Sequence, residues 1–240
     1  MRKIARELSA RITIAPTGSL AVPTIKPTEY TICQIDALNA AIQCFYQVVL
    51  PRKTRRECEA GELLRRFHGK YTTEILEKIF DLAEKDPQGP WFGQMLARPN
   101  RNRLYNCHIF ELNALIDNLL GTGDLAWLGR WRRAGNRGMS KGIATLLMYL
   151  NSPEQHNVWL PKTHQGLAIL SRLVVRYPQN EISPEEYGMF YKRFNEAAIA
   201  VRKENGLAPQ AMDWFSWFVL EYKVNPSKRA LQAYIKGEAK

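Results

Sequence analysis

Between Arg130 and Ala168 the chain reads RWRRAGNRGMSKGIATLLMYLNSPEQHNVWLPKTHQGLA, which sets Gly135, Gly138 and Gly142 around Ser140 and Lys141 just before an apolar stretch. Glycines at a helix entry permit a tight turn. The first amide N–H groups of a helix have no partner within it and face out at the positive end of its dipole, an arrangement that suits a phosphate. Arg130, Arg132, Arg133, Arg137 and Lys141 would surround that phosphate with charge. The chemistry expected of this turn is a grip on an anionic backbone.

Other chemistries leave weaker traces. The chain contains no G-x-x-x-x-G-K-[ST], no G-x-S-x-G and no H-E-x-x-H. Cys33, Cys44, Cys58 and Cys107 include no C-x-x-C pair, and His68, His108, His156 and His164 complete no zinc spacing. Glu111 and Asp117 are six apart and diverge around a helix, so they do not converge with Asp124 on a metal. No metal and no cofactor is expected. Trp127 and Trp131, four apart, have the spacing either to stack bases or to form a core stripe, and the core stripe is the commoner use.

Lys and Arg number 34 against 23 Asp and Glu, a formal charge of +11, which makes a polyanion the first partner to consider. A basic protein without such a partner is the plain alternative. With 45% hydrophobic residues over 240 positions the chain can bury a sizeable core, as one body with subdomains. No apolar run approaches the roughly 18 residues of a membrane span, so no membrane is expected. Scattered, unpaired cysteines fit a reducing cytoplasm. The opening MRKIARELSARITI lacks the apolar core of a secretory signal and leaves a transit peptide open.

The elements that must position the turn are read from periodicity. Pro16, Gly18, Pro23 and Pro27 interrupt residues 1–27, which predicts an extended arm or a short hairpin. After Thr28 apolar residues recur at three and four nearly everywhere, so the fold class is all-α. One helix is expected from Thr28 to Leu50 with Pro51 as its end, and a second from a Thr54/Glu57 capping box to Gly69, with Arg52, Lys53, Arg55, Arg56, Arg65 and Arg66 as an exposed basic side. Helices follow over 73–85, 105–120 with Ile109, Leu112, Leu115, Ile116 and Leu119 inward, 125–131 behind Asp124, and 163–175. The segment between Gln88 and Arg103 reads as a loop anchored by Trp91 and Phe92. Ser183-Pro184-Glu185-Glu186 marks a helix start for a face carrying Tyr187, Phe190, Tyr191 and Phe194. A final helix from Pro209 to Tyr222 is apolar nearly all round, and 223–240 reads as a frayed basic tail in which Ala230 to Ile235 have the pattern for a last turn of helix. The expected divisions are 1–27, a helical subdomain 28–104, a second 105–222, and the tail 223–240.

The segment Gly138-Met139-Ser140-Lys141-Gly142-Ile143-Ala144-Thr145 resembles the hairpin of helix-hairpin-helix DNA-binding proteins, with Ser140 in place of the usual second glycine. Asn151-Ser152-Pro153-Glu154 and Val158-Trp159 look like the continuation found in helical modules of bacterial restriction and other DNA-handling systems. The likeness spans about Leu112 to Tyr222. It implies that hairpin amides hold a DNA phosphate, and it sets Gly138, Ser140, Lys141 and Gly142, with Lys162, Thr163 and His164 downstream, beside the arginines as a nucleic-acid-binding set. DNA glycosylases of this family carry a catalytic Asp close to a Thr-His pair. Here Thr163-His164 follows Leu160-Pro161-Lys162, with no carboxylate in that place, and the lysine of the bifunctional members would fall near Gly142. The resemblance therefore implies a binding protein for nucleic acid, duplex DNA ahead of RNA, rather than an enzyme. A helical scaffold subunit with a protein or RNA partner is the second expectation, and a divergent glycosylase the third.

Overall fold

The computed structural model describes residues 32–84, 92–170, 173, 177–178 and 182–239. Every regular element among them is helical, and no strand occurs among the described residues. The helices are α1 (Ile32–Cys44), α2 (Leu50–Arg66), α3 (Thr73–Glu84), α4 (Arg98–Tyr105), α5 (Ile109–Thr122), α6 (Ala126–Arg133), α7 (Lys141–Asn151), α8 (Pro161–Ile169), α9 (Pro184–Glu204), α10 (Met212–Val224) and α11 (Arg229–Ile235). The extended arm expected over 1–27, the Thr28 cap, Trp91 and Val174 lie outside the described residues.

Two compact units form, and neither is a continuous stretch. The first collects the described residues of 32–52, 161–175 and 196–239. There α10 lies against α8, and α11 against α1. Gly166 makes the first crossing possible, because a Cβ on it would stand 2.2 Å from the Ser216 carbonyl oxygen. Phe45 stacks on Trp214 at 4.1 Å between ring centroids, and Tyr234 of α11 meets Trp214 edge-on at 5.3 Å. The turn of helix that the sequence leaves open over Ala230 to Ile235 is present as α11, and it is anchored rather than frayed, with Leu231 and Tyr234 buried. An aromatic ring and a leucine withdrawn from water offset part of the entropy cost of ordering one short helix.

The expected stop at Pro51 does not occur. A π-helical turn, Phe45–Val49, joins α1 to α2, with Leu50 N–H donating to the Phe45 carbonyl. Proline has no N–H, and its ring clashes with the carbonyl four residues back. The wider turn displaces that carbonyl, and the helix runs on. Thr54 consequently sits inside α2 and caps nothing, and Lys53 and Glu57 are buried rather than exposed. The segment expected as a loop before Arg103 contains a 3-10 turn, Gly93–Leu96, and α4, whose first turn accommodates Pro99.

The second unit holds the described residues of 53–160 and 177–195. Gly142 through Leu150 of α7 are all buried, so this helix has no solvent face. Its neighbours include α5, which presents Leu112, Leu115, Ile116 and Leu119 as expected but leaves Ile109 at the surface of its first turn. Gly61 of α2 touches it at the Leu150 carbonyl, where a Cβ would stand at 2.3 Å. Glu57 accepts hydrogen bonds from Lys53 and from the Tyr149 hydroxyl, each at 2.5 Å. Ser183 and Glu186 form the expected capping box, Ser183 N–H donating to Glu186 Oε2 at 2.8 Å and Glu186 N–H to Ser183 Oγ at 3.2 Å. Along the start of α9, Tyr187, Tyr191 and Phe194 are buried and Phe190 is only partly so.

Phe194 is buried against Trp159 and Tyr191. Truncation to alanine leaves a ring-sized void, so Phe194→Ala should cost about 3–5 kcal/mol in urea unfolding; a loss below about 1 kcal/mol would contradict this packing.

Candidate nucleic-acid interface

The basic turn is the connection between α6 and α7. Asp124 Oδ1 accepts from Ala126 N–H at 2.8 Å and opens α6. At its far end Gly135 N–H donates to Arg132 O and Asn136 N–H to Trp131 O, the paired closure of a Schellman motif, with Gly135 at φ 91°. Gly138 has φ 103°, and a Cβ there would meet the Arg103 carbonyl oxygen at 2.5 Å and Cys107 Sγ at 2.8 Å. Cys107 completes the contact by donating its S–H to Arg137 O at 2.7 Å. Burial, then the nearby Glu111 carboxylate, pushes the Cys107 thiol above its ordinary value.

Ser140 is the N-cap of α7, its Oγ accepting from Ile143 N–H at 3.1 Å. Gly142 is buried, since a Cβ on it would stand 2.2 Å from Met95 Sδ. Thr145 donates its hydroxyl to Lys141 O and accepts from Trp159 N–H at 2.9 Å. Each of these residues therefore has a role inside the fold. Gly138 and Gly142 bring backbone close to Arg103 and Met95, Gly135 closes the end of α6, and the capping serine already takes one of the first-turn amides.

The cations divide in the same way. Lys141 turns inward: its ammonium donates to Pro178 O and lies 4.7 Å from the Tyr177 ring centroid and 5.9 Å from those of Trp159 and Tyr187. Burial, and then the charge of Arg132, push its pKa down to about 8. Arg132 is half-buried and donates to the Tyr187 hydroxyl at 2.7 Å and to Met139 O at 2.8 Å. Arg101 is buried against Asp81 at 2.7 Å and Glu77 at 3.1 Å.

Arg130, Arg133 and Arg137 are exposed, as is Arg103 on the neighbouring α4. Arg130 lies 4.7 Å over the ring of Trp127, while Trp131 is buried, so the two tryptophans divide between surface and core. Arg133 approaches Glu185 only at 4.0 Å, with both side chains largely exposed. Such a contact is worth little in water.

Lys162, Thr163 and His164 belong to α8, in the other unit. Thr163 and His164 are buried. Lys162 pairs with Glu221 at 2.8 Å, as does Lys228. Burial alone would raise the Glu221 carboxyl, but the hydrogen bonds and charges of both lysines outweigh it and hold the group below its ordinary value. The three residues expected to extend the hairpin's binding set are thus part of a different body, where two are core and the third is ion-paired.

No model of a known protein family, no curated protein and no solved structure matches the chain. Among the described residues no group of His, Cys, Asp or Glu could hold a metal ion, and no helix is long and apolar enough to cross a membrane.

Lys141 generates a pH prediction. An unfolded chain gives lysine a pKa of about 10.4, so in this protein the folded state holds the Lys141 proton less tightly than the unfolded state does. The residue's contribution is least favourable below about pH 8 and recovers as pH rises from about 8 towards about 10. The stability difference between the wild type and Lys141→Met, measured by denaturant titration, should change across that window. A constant difference would contradict the inward ammonium.

Proposed function

We propose that this chain is a nucleic-acid-binding protein or subunit, and that it holds phosphates through the side chains of Arg130, Arg133 and Arg137 rather than through the amides of the glycine turn. One observation carries the reading. Arg130, Arg133 and Arg137 are exposed residues on a turn whose backbone is closed by its own hydrogen bonds, with Arg103 exposed beside it and the Glu185 carboxylate no nearer to Arg133 than 4.0 Å. A rigid base limits the entropy lost on docking, and a guanidinium offers the forked donor pattern that matches a phosphate.

Geometry also supports removing Gly138, Ser140, Lys141 and Gly142 from direct contact with nucleic acid, since each is engaged within the fold. They act on binding by holding the arginines in place. The resemblance to the helix-hairpin-helix family supports duplex DNA as the first ligand to test, with RNA next.

Removing the cation from one phosphate reduces the slope of log affinity against log salt by about one. The double variant Arg133→Ala/Arg137→Ala should therefore bind more weakly, with a slope smaller by about two, while Lys141→Met keeps the parental slope. Thermal unfolding measured alongside separates binding from folding. An unchanged affinity and slope in the double variant, across salt and for duplex, single strand and RNA, would overturn the proposal.

A further inference from the structure

Phe110 is 77% exposed, an unusual position for a phenylalanine in a protein with so large a buried aromatic core. It stands in the first turn of α5, two positions away from the buried stripe that begins at Leu112. His108, immediately ahead of the helix, is exposed as well, and its ring centroid lies 5.7 Å from that of Phe110 with the planes inclined at 36°. Ile109 between them is also at the surface. Together these side chains form an aromatic knuckle that stands out into solvent.

The knuckle adjoins the cations of the hairpin. Cys107, three residues before Phe110, is hydrogen-bonded to Arg137 O and lies 3.5 Å from Arg103 O, so the backbones bearing two exposed arginines meet at the foot of α5. Glu111 is the one acidic side chain within the knuckle's own turn. An apolar protein partner seated on the knuckle would lie beside backbone that carries two exposed arginines, whose charge it would have to desolvate. A nucleic acid instead meets complementary charge with its phosphates and presents a flat π-face to the rings.

We infer that Phe110, flanked by His108, is a stacking platform for an unpaired base whose adjoining phosphates are held by Arg103 and Arg137. This inference rests on the nucleic-acid-binding reading and narrows it to single-stranded or locally unpaired nucleic acid. A duplex buries its base faces within the stack, so a side chain at the surface reaches one only where pairing is broken.

The test uses the full chain with an oligonucleotide of mixed sequence, as single strand and as duplex, at three salt concentrations. Loss of one stacked base costs about 1–3 kcal/mol, so Phe110→Ala should weaken single-strand binding by about tenfold with an unchanged salt slope, and duplex binding by less than about twofold. Phe110→Trp should retain single-strand affinity, and a 2-aminopurine in the strand should be quenched on binding to the parent but not to Phe110→Ala. Equal single-strand affinity for parent and Phe110→Ala, while Arg133→Ala/Arg137→Ala still weakens binding, overturns the platform and leaves the nucleic-acid reading standing. A parent that binds neither strand form overturns both. A shift from dimer to monomer in Phe110→Ala, with strand binding intact, also overturns the platform and identifies the knuckle as a contact between copies of the chain.

Discussion

A helix buried on every side must satisfy its polar groups internally, because water reaches none of its faces, and α7 is such a helix from Gly142 to Leu150. That requirement organises the second unit. Thr145 spends its hydroxyl on Lys141 O and on the amide of Trp159, which ties the entering turn to the exit loop. Tyr149 donates to Glu57, and Lys53 neutralises that carboxylate from one turn away. Removing either partner would leave a buried charge uncompensated, at a cost of about 3–5 kcal/mol. The hairpin is held in place because the helix it feeds has no freedom to move.

The same burial explains why the glycines face inward. A helix wrapped by others needs its neighbours close, and closeness at Gly61, Gly138 and Gly142 comes from the missing Cβ. A phosphate-gripping turn and a helix-packing turn carry the same residues, since both require a backbone to approach another group more closely than a side chain permits. Only the identity of the approaching group distinguishes them, and here it is the Leu150 carbonyl, the Arg103 carbonyl and the Met95 side chain.

Legibility in the sequence follows from how local each signal is. The capping box at Ser183 and Glu186 is legible because both of its hydrogen bonds lie within four residues. The all-α class and the inward stripe of α5 are equally readable from periodicity. Pro51 misleads because a π-turn relieves a clash that no propensity scale anticipates, and Thr54 and Glu57 imitate a cap because a spacing of three fits a helix interior as well as its start. At the hairpin, the type of each residue is visible but its direction is not: Lys141 turns inward on account of Tyr177, far along the chain. Phe110 is readable in principle, since it falls off the stripe that Leu112 begins, yet an aromatic in an apolar helix draws the eye towards the core.

Those directions alter what the formal charge of +11 means to a partner. Lys53 is matched by Glu57 and Arg101 by Glu77 and Asp81, while Lys162 and Lys228 share the single carboxylate of Glu221, so the fields of the first two are largely cancelled at close range and that of the lysine pair is halved. Lys141 is shielded by rings. A polyanion would therefore be attracted less by a uniformly basic body than by the cations that remain at the surface, and at physiological salt the field of an exposed charge more than about 8 Å away is largely screened. Exposed arginines on a fixed hairpin meet that condition together, whereas the same number scattered over a surface would not. On the proposed reading, docking at this turn would depend less on how many cations the chain carries than on how many of the turn's own stay in reach of solvent.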